Sequence, residues 1–453
     1  MQTPTTRLEF PQRVAAIFSC AACWGAVAVA APGDSPASLP HAHDYGNVLL
    51  ELPPVAGSHP PPALPNASTS TVVASNPAPQ ADPAKVKVGY AGGLYFESKG
   101  DPCNDALPPF RLRINSWFQL RHTGFHSNGP NPDQNDIEFE RLRLSFGGHV
   151  FAPEVAYFFQ FDGDSDQAST SDGLDYFTTI DFGKYLWGLE SGRLGLRAGK
   201  WKLPFNRARR EAGWKMEFSD RTMASVFFDI NRSHGAGLLG KIDVVQGEVF
   251  WETAVFNGIQ TGGFRSARQD ELDENLGYAG RGFIDLWGEW GTDGEPDLTC
   301  RCSPAVRAGA GFAYSRVDRL EGPREFNVQR VVDSGATLAS IIPAAANTYD
   351  VALQSVDLNY KNRGLSIHTE AYLRQLANIG AGVPDLFDHG FMIQTGYFLS
   401  PERLQILGRW SRIAGDSGTL GGAVQSADEV AAGVTWYFRG HEAKLTFDVT
   451  HLN

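Results

Sequence analysis

The chain has 453 residues, a formal net charge of −12, and a composition that is 42% hydrophobic and 20% charged. An acidic chain with no concentrated Lys/Arg stretch is not a nucleic-acid binder, and after residue 30 no run of eighteen apolar residues offers a transmembrane helix. An aromatic share of 11%, with 49 glycines and only 4 methionines, favours an all-β chain.

Arg7 and Arg13 precede an apolar run from Val14 to Ala30, and Ala28-Val29-Ala30 is a small-x-small cleavage site. Residues 1–30 therefore read as a secretory signal peptide. Residues 31–84, rich in Pro, Ala and Ser and including His59-Pro60-Pro61-Pro62, read as a disordered linker. Residues 85–453 are left to form one large unit. Cleavage leaves Cys103, Cys300 and Cys302, an odd count with at least one unpaired thiol, and Cys103 is expected near the other two on the periplasmic side.

From Phe110 onward the pattern has period two. Leu112, Ile114, Phe118 and Leu120 alternate with Arg113, Asn115, Gln119 and Arg121. Leu142, Leu144 and Phe146 alternate with Arg141, Arg143 and Ser145, while Tyr157, Phe159 and Phe161 oppose Phe158 and Gln160. Leu196 and Ala198 alternate with Arg197, and the rhythm returns through 235–256, 277–314, 349–411 and 427–450. Segments of about ten residues suit tilted strands crossing a bilayer. Tight turns such as Phe151-Ala152-Pro153 and Lys361-Asn362-Arg363 alternate with long polar loops such as 202–234 and 315–348. Short periplasmic turns opposite long external loops mark a transmembrane antiparallel β-barrel, here of about sixteen strands, in the cell outer membrane. The outward residues Leu112, Phe118, Leu142, Phe146, Tyr157 and Leu196 are expected to face lipid. The competing reading is an exported β-rich binding or surface protein without channel activity, since a half-buried sheet also alternates.

Several of these segments resemble the phosphate-selective porin O/P family of outer-membrane channels. The similar stretches are Phe110-Arg111-Leu112-Arg113-Ile114-Asn115, Phe139-Glu140-Arg141-Leu142-Arg143-Leu144, Gly199-Lys200-Trp201-Lys202-Leu203-Pro204-Phe205 with Ser219-Asp220-Arg221, and Gly433-Val434-Thr435-Trp436-Tyr437-Phe438. The resemblance covers roughly 110–453. It implies diffusion of small anions such as phosphate, a long third loop folded into the barrel, and a homotrimer. The chain departs from the family at Thr450-His451-Leu452-Asn453, where a strand ending on an aromatic residue is usual. Fifteen strands count from Phe110, so either a closing strand is missing or residues 85–96 pair with 441–450.

Residues 200–221 carry Lys200, Lys202, Arg207, Arg209, Arg210, Lys215 and Arg221 against Glu211, Glu217 and Asp220. This local positive excess in an acidic chain is the expected anion filter, with Lys202, Arg207, Arg209, Arg210 and Lys215 foremost. Arg113, Arg121, Arg141, Arg143 and Arg197 would extend it along the wall. The alternative role for all ten is pairing with nearby carboxylates to hold the loop. Asp162, Asp164 and Asp166 alternate like a calcium loop, but Gln167 and Gly173 stand where Gly and a bidentate Glu are needed. His126-Ser127-Asn128-Gly129 is similar to the outer-membrane phospholipase signature, yet its histidine and serine are adjacent, which suits a plain loop. No cofactor, metal or enzymatic activity is expected, and the partners are outer-membrane lipid and small anionic solutes.

Overall fold

A computed structural model describes residues 13–22, 86–100, 108–127, 133–163, 172–245, 247–259, 273–319, 325–332 and 336–453. Its strands are β1 (Arg13–Ala22), β2 (Lys87–Tyr90), β3 (Leu94–Ser98), β4 (Phe110–Ser127), β5 (Gln134–Val150), β6 (Ala152–Asp162), β7 (Asp172–Ile180), β8 (Gly195–Lys202) and β9 (Arg232–Val244). They continue through β10 (Gly247–Asn257), β11 (Leu276–Trp287), β12 (Ala305–Asp318), β13 (Thr348–Asn362), β14 (Leu365–Ala377), β15 (Leu386–Ser400), β16 (Leu404–Gly415), β17 (Gln425–Arg439) and β18 (Ala443–Leu452). From β4 to β18 each strand pairs antiparallel with the next, as the fifteen alternating segments predict.

The seam between β4 and β18 corrects an expectation. Residues 85–96 do not lie along 441–450. Leu94–Ser98 instead pairs with Phe110–Ile114 of β4, and β2 folds back on β3. The place between the first and last barrel strands is taken by β1, which runs Arg13 to Ala22 against Leu452 to Ala443 on one side and Ser127 to Phe118 on the other. The segment that reads as a leader is thus the one that fills the sixteenth position. An alternating run of small and apolar residues satisfies a strand as readily as a leader.

The two faces of the wall differ as a membrane barrel requires. Leu142, Phe159, Leu196, Val356, Leu373, Ile393, Val430 and Phe447 are exposed on the outer face. Leu112, Phe118, Phe146 and Tyr157 are half-buried by their neighbours at the outward parity. Trp187, Trp287, Trp436 and Phe438 stand exposed near the short-turn end, and Tyr278, Tyr314 and Phe387 near the other, as interfacial aromatic girdles do. This surface is stable only against hydrocarbon, and the fold is that of an outer-membrane barrel. The inner face is polar and buried, with Gln119, Arg141, Arg197, Asp357, His368, Arg374, Gln394, Arg409 and Asp448 among its side chains.

Several connections depart from simple turns and loops. Arg363 and Gly364 have φ of 50° and 80°, the handedness of a two-residue hairpin turn. Gly364 N–H donates to Asp297 Oδ2 at 2.7 Å, tying this turn to the connection 288–304. That connection folds into the barrel, burying Trp290, Glu295 and Asp297. The connection from β12 to β13, expected as an external polar loop, buries Phe326, Val331, Val332, Leu338 and Ile342 against the inward Tyr349, Leu353, Tyr372 and Leu376. The hydrophobic core therefore lies inside the ring. Cys300 and Cys302 carry free thiols, and Cys103 lies outside the described residues.

Val356 is 62% exposed at the middle of β13, between Ala310 and Ala371. Val356→Arg should cost about 2–4 kcal/mol if it meets the bilayer midplane. Equilibrium folding into lipid vesicles measures this, and an unchanged folding free energy would place the residue away from lipid.

Candidate functional site

The third long connection, Leu203 to Asn231, crosses the lumen because its peptide groups find partners all around the inner wall. Asn206 caps the short helix Arg207–Arg210, its side chain accepting from Arg209 N–H at 3.2 Å, and Thr222 caps Met223–Phe227. Glu370 on β14 accepts from Arg207 N–H at 2.8 Å and from Ala208 N–H at 3.0 Å. Asp448 on β18 accepts from Ser219 N–H at 2.9 Å, and Glu429 on β17 from Met223 N–H at 2.5 Å. Arg281 on β11 donates to Phe205 O at 3.1 Å, and Gln119 on β4 donates to Ser219 O at 2.9 Å. Phe205, Phe228 and Ile230 join the internal apolar core.

On one flank of this loop is a cavity of about 140 Å³. Its lining brings together Lys202, Arg207, Arg210, Lys215 and Arg197 of the ten predicted cations. Arg281 on β11 and Arg307 on β12 complete it and were missed. Both alternate with apolar or small residues, the same inward-arginine signal seen on β4 and β5. Trp290 was also missed, because nothing in the sequence marks 288–304 as turning inward.

Most of these cations are already paired. Glu252 on β10 binds Arg197 at 2.9 Å and Arg210 at 2.7 Å, and accepts from Trp201 Nε1 at 3.0 Å. Arg281 meets Asp357 at 2.5 Å, and Arg307 meets Asp285 through two bonds of 2.6 and 3.0 Å. Lys202 Nζ donates to Arg210 O at 3.2 Å and Glu211 O at 3.1 Å. Arg207 is different. Its nearest carboxylate oxygens, on Glu211 and Glu295, lie 3.7 and 3.9 Å away, and neither terminal nitrogen has a hydrogen-bond partner. Lys215 has no ion pair or hydrogen bond from its ammonium among the described residues; it sits 4.9 Å from the Trp214 ring centre.

The other five predicted residues stand elsewhere. Arg209 turns to Asp229 at 3.0 Å. Arg121 binds Glu138, Glu140 and Asp220 at 2.7, 2.5 and 3.3 Å, and Arg141 binds Asp220 at 3.2 Å, so this pair fastens the loop at Asp220 to β4 and β5. Arg143 meets Asp162 at 3.3 Å and lies over Trp117. Arg113 sits opposite Tyr95 and Gly147 near the periplasmic end. For Arg209, Arg121, Arg141 and Arg143 the geometry is that of pairing, whereas Arg113 makes no ion pair among the described residues. Asp162 is engaged by Arg143, whereas Asp164 and Asp166 lie outside the described residues. His126 pairs with Asp133 at 2.9 Å on the exposed rim.

No protein-family model and no curated protein matches this chain. Among solved structures it is similar to a loop L8 deletion mutant of OmpT, an outer membrane protein of Vibrio cholerae, at 9% identity and a TM-score of 0.45 over 75% of this chain and 98% of that one. It is similar to Salmonella typhi OmpF in complex with daunomycin at 10% identity and a TM-score of 0.44, over 76% and 98% of the two chains. It is also similar to Pseudomonas putida OprB at 9% identity and a TM-score of 0.39, over 72% and 90%. These likenesses are distant, and the barrel rests on its own strand pairings.

Two measurements probe how the loop is held. Glu370→Ala strands two buried N–H groups, at about 1–3 kcal/mol each. It should open the Arg207–Arg210 turn to trypsin; an unchanged cleavage rate would mean that Glu370 is not an anchor. Burial, reinforced by Glu295, pushes the Glu217 carboxyl from its ordinary 4.5 up to about 7. Ser366 and Gln405 donate to Oε1, the latter at 2.7 Å, and Gln394 donates to Oε2 at 3.1 Å. A raised carboxyl pKa favours the folded state below the unfolded value, and that stability is lost as pH rises through the folded one. The unfolding temperature should therefore fall between about pH 4.5 and 7, and Glu217→Gln should flatten the profile.

Proposed function

We propose that the protein is a porin of the outer membrane that passes small anions such as phosphate by diffusion, with selectivity set where the third loop crosses the lumen. The observation that carries this reading is the cavity lining. It holds seven cationic side chains and two carboxylates in a chain whose net charge is −12. Glu252, Asp285 and Asp357, on the inner faces of β10, β11 and β13, neutralise several of the cations. The remaining positive potential belongs mainly to Lys215, since Glu211 and Glu295 stand 3.7 and 3.9 Å from Arg207. In a narrow opening with low-dielectric walls such charges act strongly, whereas on an open surface salt screens them beyond about 8–10 Å.

Affiliation with the phosphate-selective O/P family, assembly as a homotrimer and removal of residues 1–30 on export belong to the same proposal. Removal would withdraw β1 from the seam, so the intact mass of barrel extracted from membranes decides between a cleaved leader and a retained strand.

Lys215 is the cleanest test of selectivity, because removing its charge leaves no carboxylate unpaired. Lys215→Gln should assemble normally and lower the preference for chloride over potassium, read as a smaller reversal potential in a salt gradient. An unaltered reversal potential in a correctly folded variant would remove Lys215 from the pathway. A cation-preferring unmodified barrel would overturn the anion reading itself.

A further inference from the structure

We infer that the lumenal cavity is shaped for an anion with a flat apolar body, and that single-ring aromatic carboxylates are the solute class it takes. This rests on the anion reading above and adds the form of the solute.

The lining carries five aromatic rings, Phe158, Phe177, Trp201, Phe283 and Trp290, beside its cations. The three phenylalanine rings offer no hydrogen bonds to an oxyanion, and the Trp201 indole N–H is already committed to Glu252. A phosphate pressed against them loses hydration without replacement, whereas an apolar body loses little. Arginines already lie over several of the rings. Arg197 is 4.8 Å from the Phe177 ring centre, and Arg307 is 4.5 Å from Phe283 and 5.6 Å from Trp290. Planar guanidinium groups and rings layered in this way form a wall on which another planar π-system stacks. Ala212, Gly291 and Gly294, with small or no side chains, also border the cavity. The cavity's size of about 140 Å³ is close to the ~150 Å³ of an apolar cavity known to take up benzene.

The charged end has its partners in the same lining. Arg207 is 93% buried (7% exposed); among the described residues its terminal nitrogens have no hydrogen-bond acceptor, and Glu211 and Glu295 stand 3.7 and 3.9 Å from them. Among the described residues the ammonium of Lys215 has no anionic partner in its place over Trp214. A carboxylate brings two oxygens and one charge, which suits a guanidinium fork and an ammonium together.

The test is calorimetric titration of the full-length barrel in detergent with benzoate, acetate, benzyl alcohol and inorganic phosphate, which does not depend on conduction. Benzoate should bind about tenfold more tightly than acetate, the ratio that 1.4 kcal/mol of ring contact gives, and more tightly than phosphate or benzyl alcohol. Lys215→Gln should weaken benzoate and acetate alike, and Phe283→Leu should weaken benzoate alone. If Phe283→Leu does not assemble, the ratios on the unaltered barrel decide. Acetate or phosphate binding as tightly as benzoate overturns the inference, as does benzyl alcohol matching benzoate. Chloride preference without benzoate discrimination leaves the anion channel standing and this inference overturned. Benzoate discrimination in a cation-preferring barrel keeps the site and overturns the channel reading.

Discussion

A peptide chain crossing the inside of a barrel must find a partner for each N–H and C=O it buries, and the rest of this structure depends on how that demand is met. Glu370, Glu429 and Asp448 project inward from three strands of the far wall and each accepts backbone N–H groups of the third loop. Arg281 and Gln119, from the near side, cap its carbonyls. With these backbone groups satisfied, Phe205, Phe228 and Ile230 can pack on Tyr372, Tyr349 and Leu353 and form an apolar core where an open pore would hold water. The inward faces of β13 to β18 thus act as a template for the loop.

That template has an electrostatic consequence. The carboxylates that hold loop and wall together also consume most of the positive charge that the loop brings. Glu252 alone binds Arg197 and Arg210, while Asp220 ties Arg121 and Arg141 to the loop. Paired cations still polarise the cavity, but an anion gains most from a cation whose partner is absent or distant. Lys215 and Arg207 meet that condition, and both stand where the third loop approaches the infolded connection 288–304. Two insertions from opposite ends of the barrel therefore define one site: Gly294 packs against the Lys215 side chain, and Glu295 N–H donates to Lys215 O at 3.2 Å.

The seam between β4 and β18 shows how one stretch of sequence can answer two physical demands. Arg13 to Ala22 is apolar enough to read as the core of a leader, and its backbone also pairs along the full length of β18 and the upper part of β4. Barrels avoid exposed edges because unpaired N–H and C=O groups are costly in lipid. Whatever occupies this position must supply backbone hydrogen bonds on both sides, and the identity of its side chains matters much less.

The sequence alone determined the fifteen strands from Phe110 onward and their faces, while the inward fold of the third loop came only from the family resemblance. Period-two alternation is a local property, and Leu142, Phe159 and Leu196 point outward for the reason that their parity states. The excess charge of residues 200–221 likewise marked the segment that meets the lumen. What only the tertiary structure decided is which of those cations act together. Arg209 and Arg210 are adjacent, yet one turns to Asp229 and the other to Glu252 and the cavity. Arg281, Arg307 and Trp290 lie far from the loop in sequence and join it only because the ring curves round and the connection 288–304 folds in. Charge is written along the chain, but its neutralisation depends on distances of a few ångströms between residues far apart in sequence, as Arg121 and Asp220 are at 99 positions.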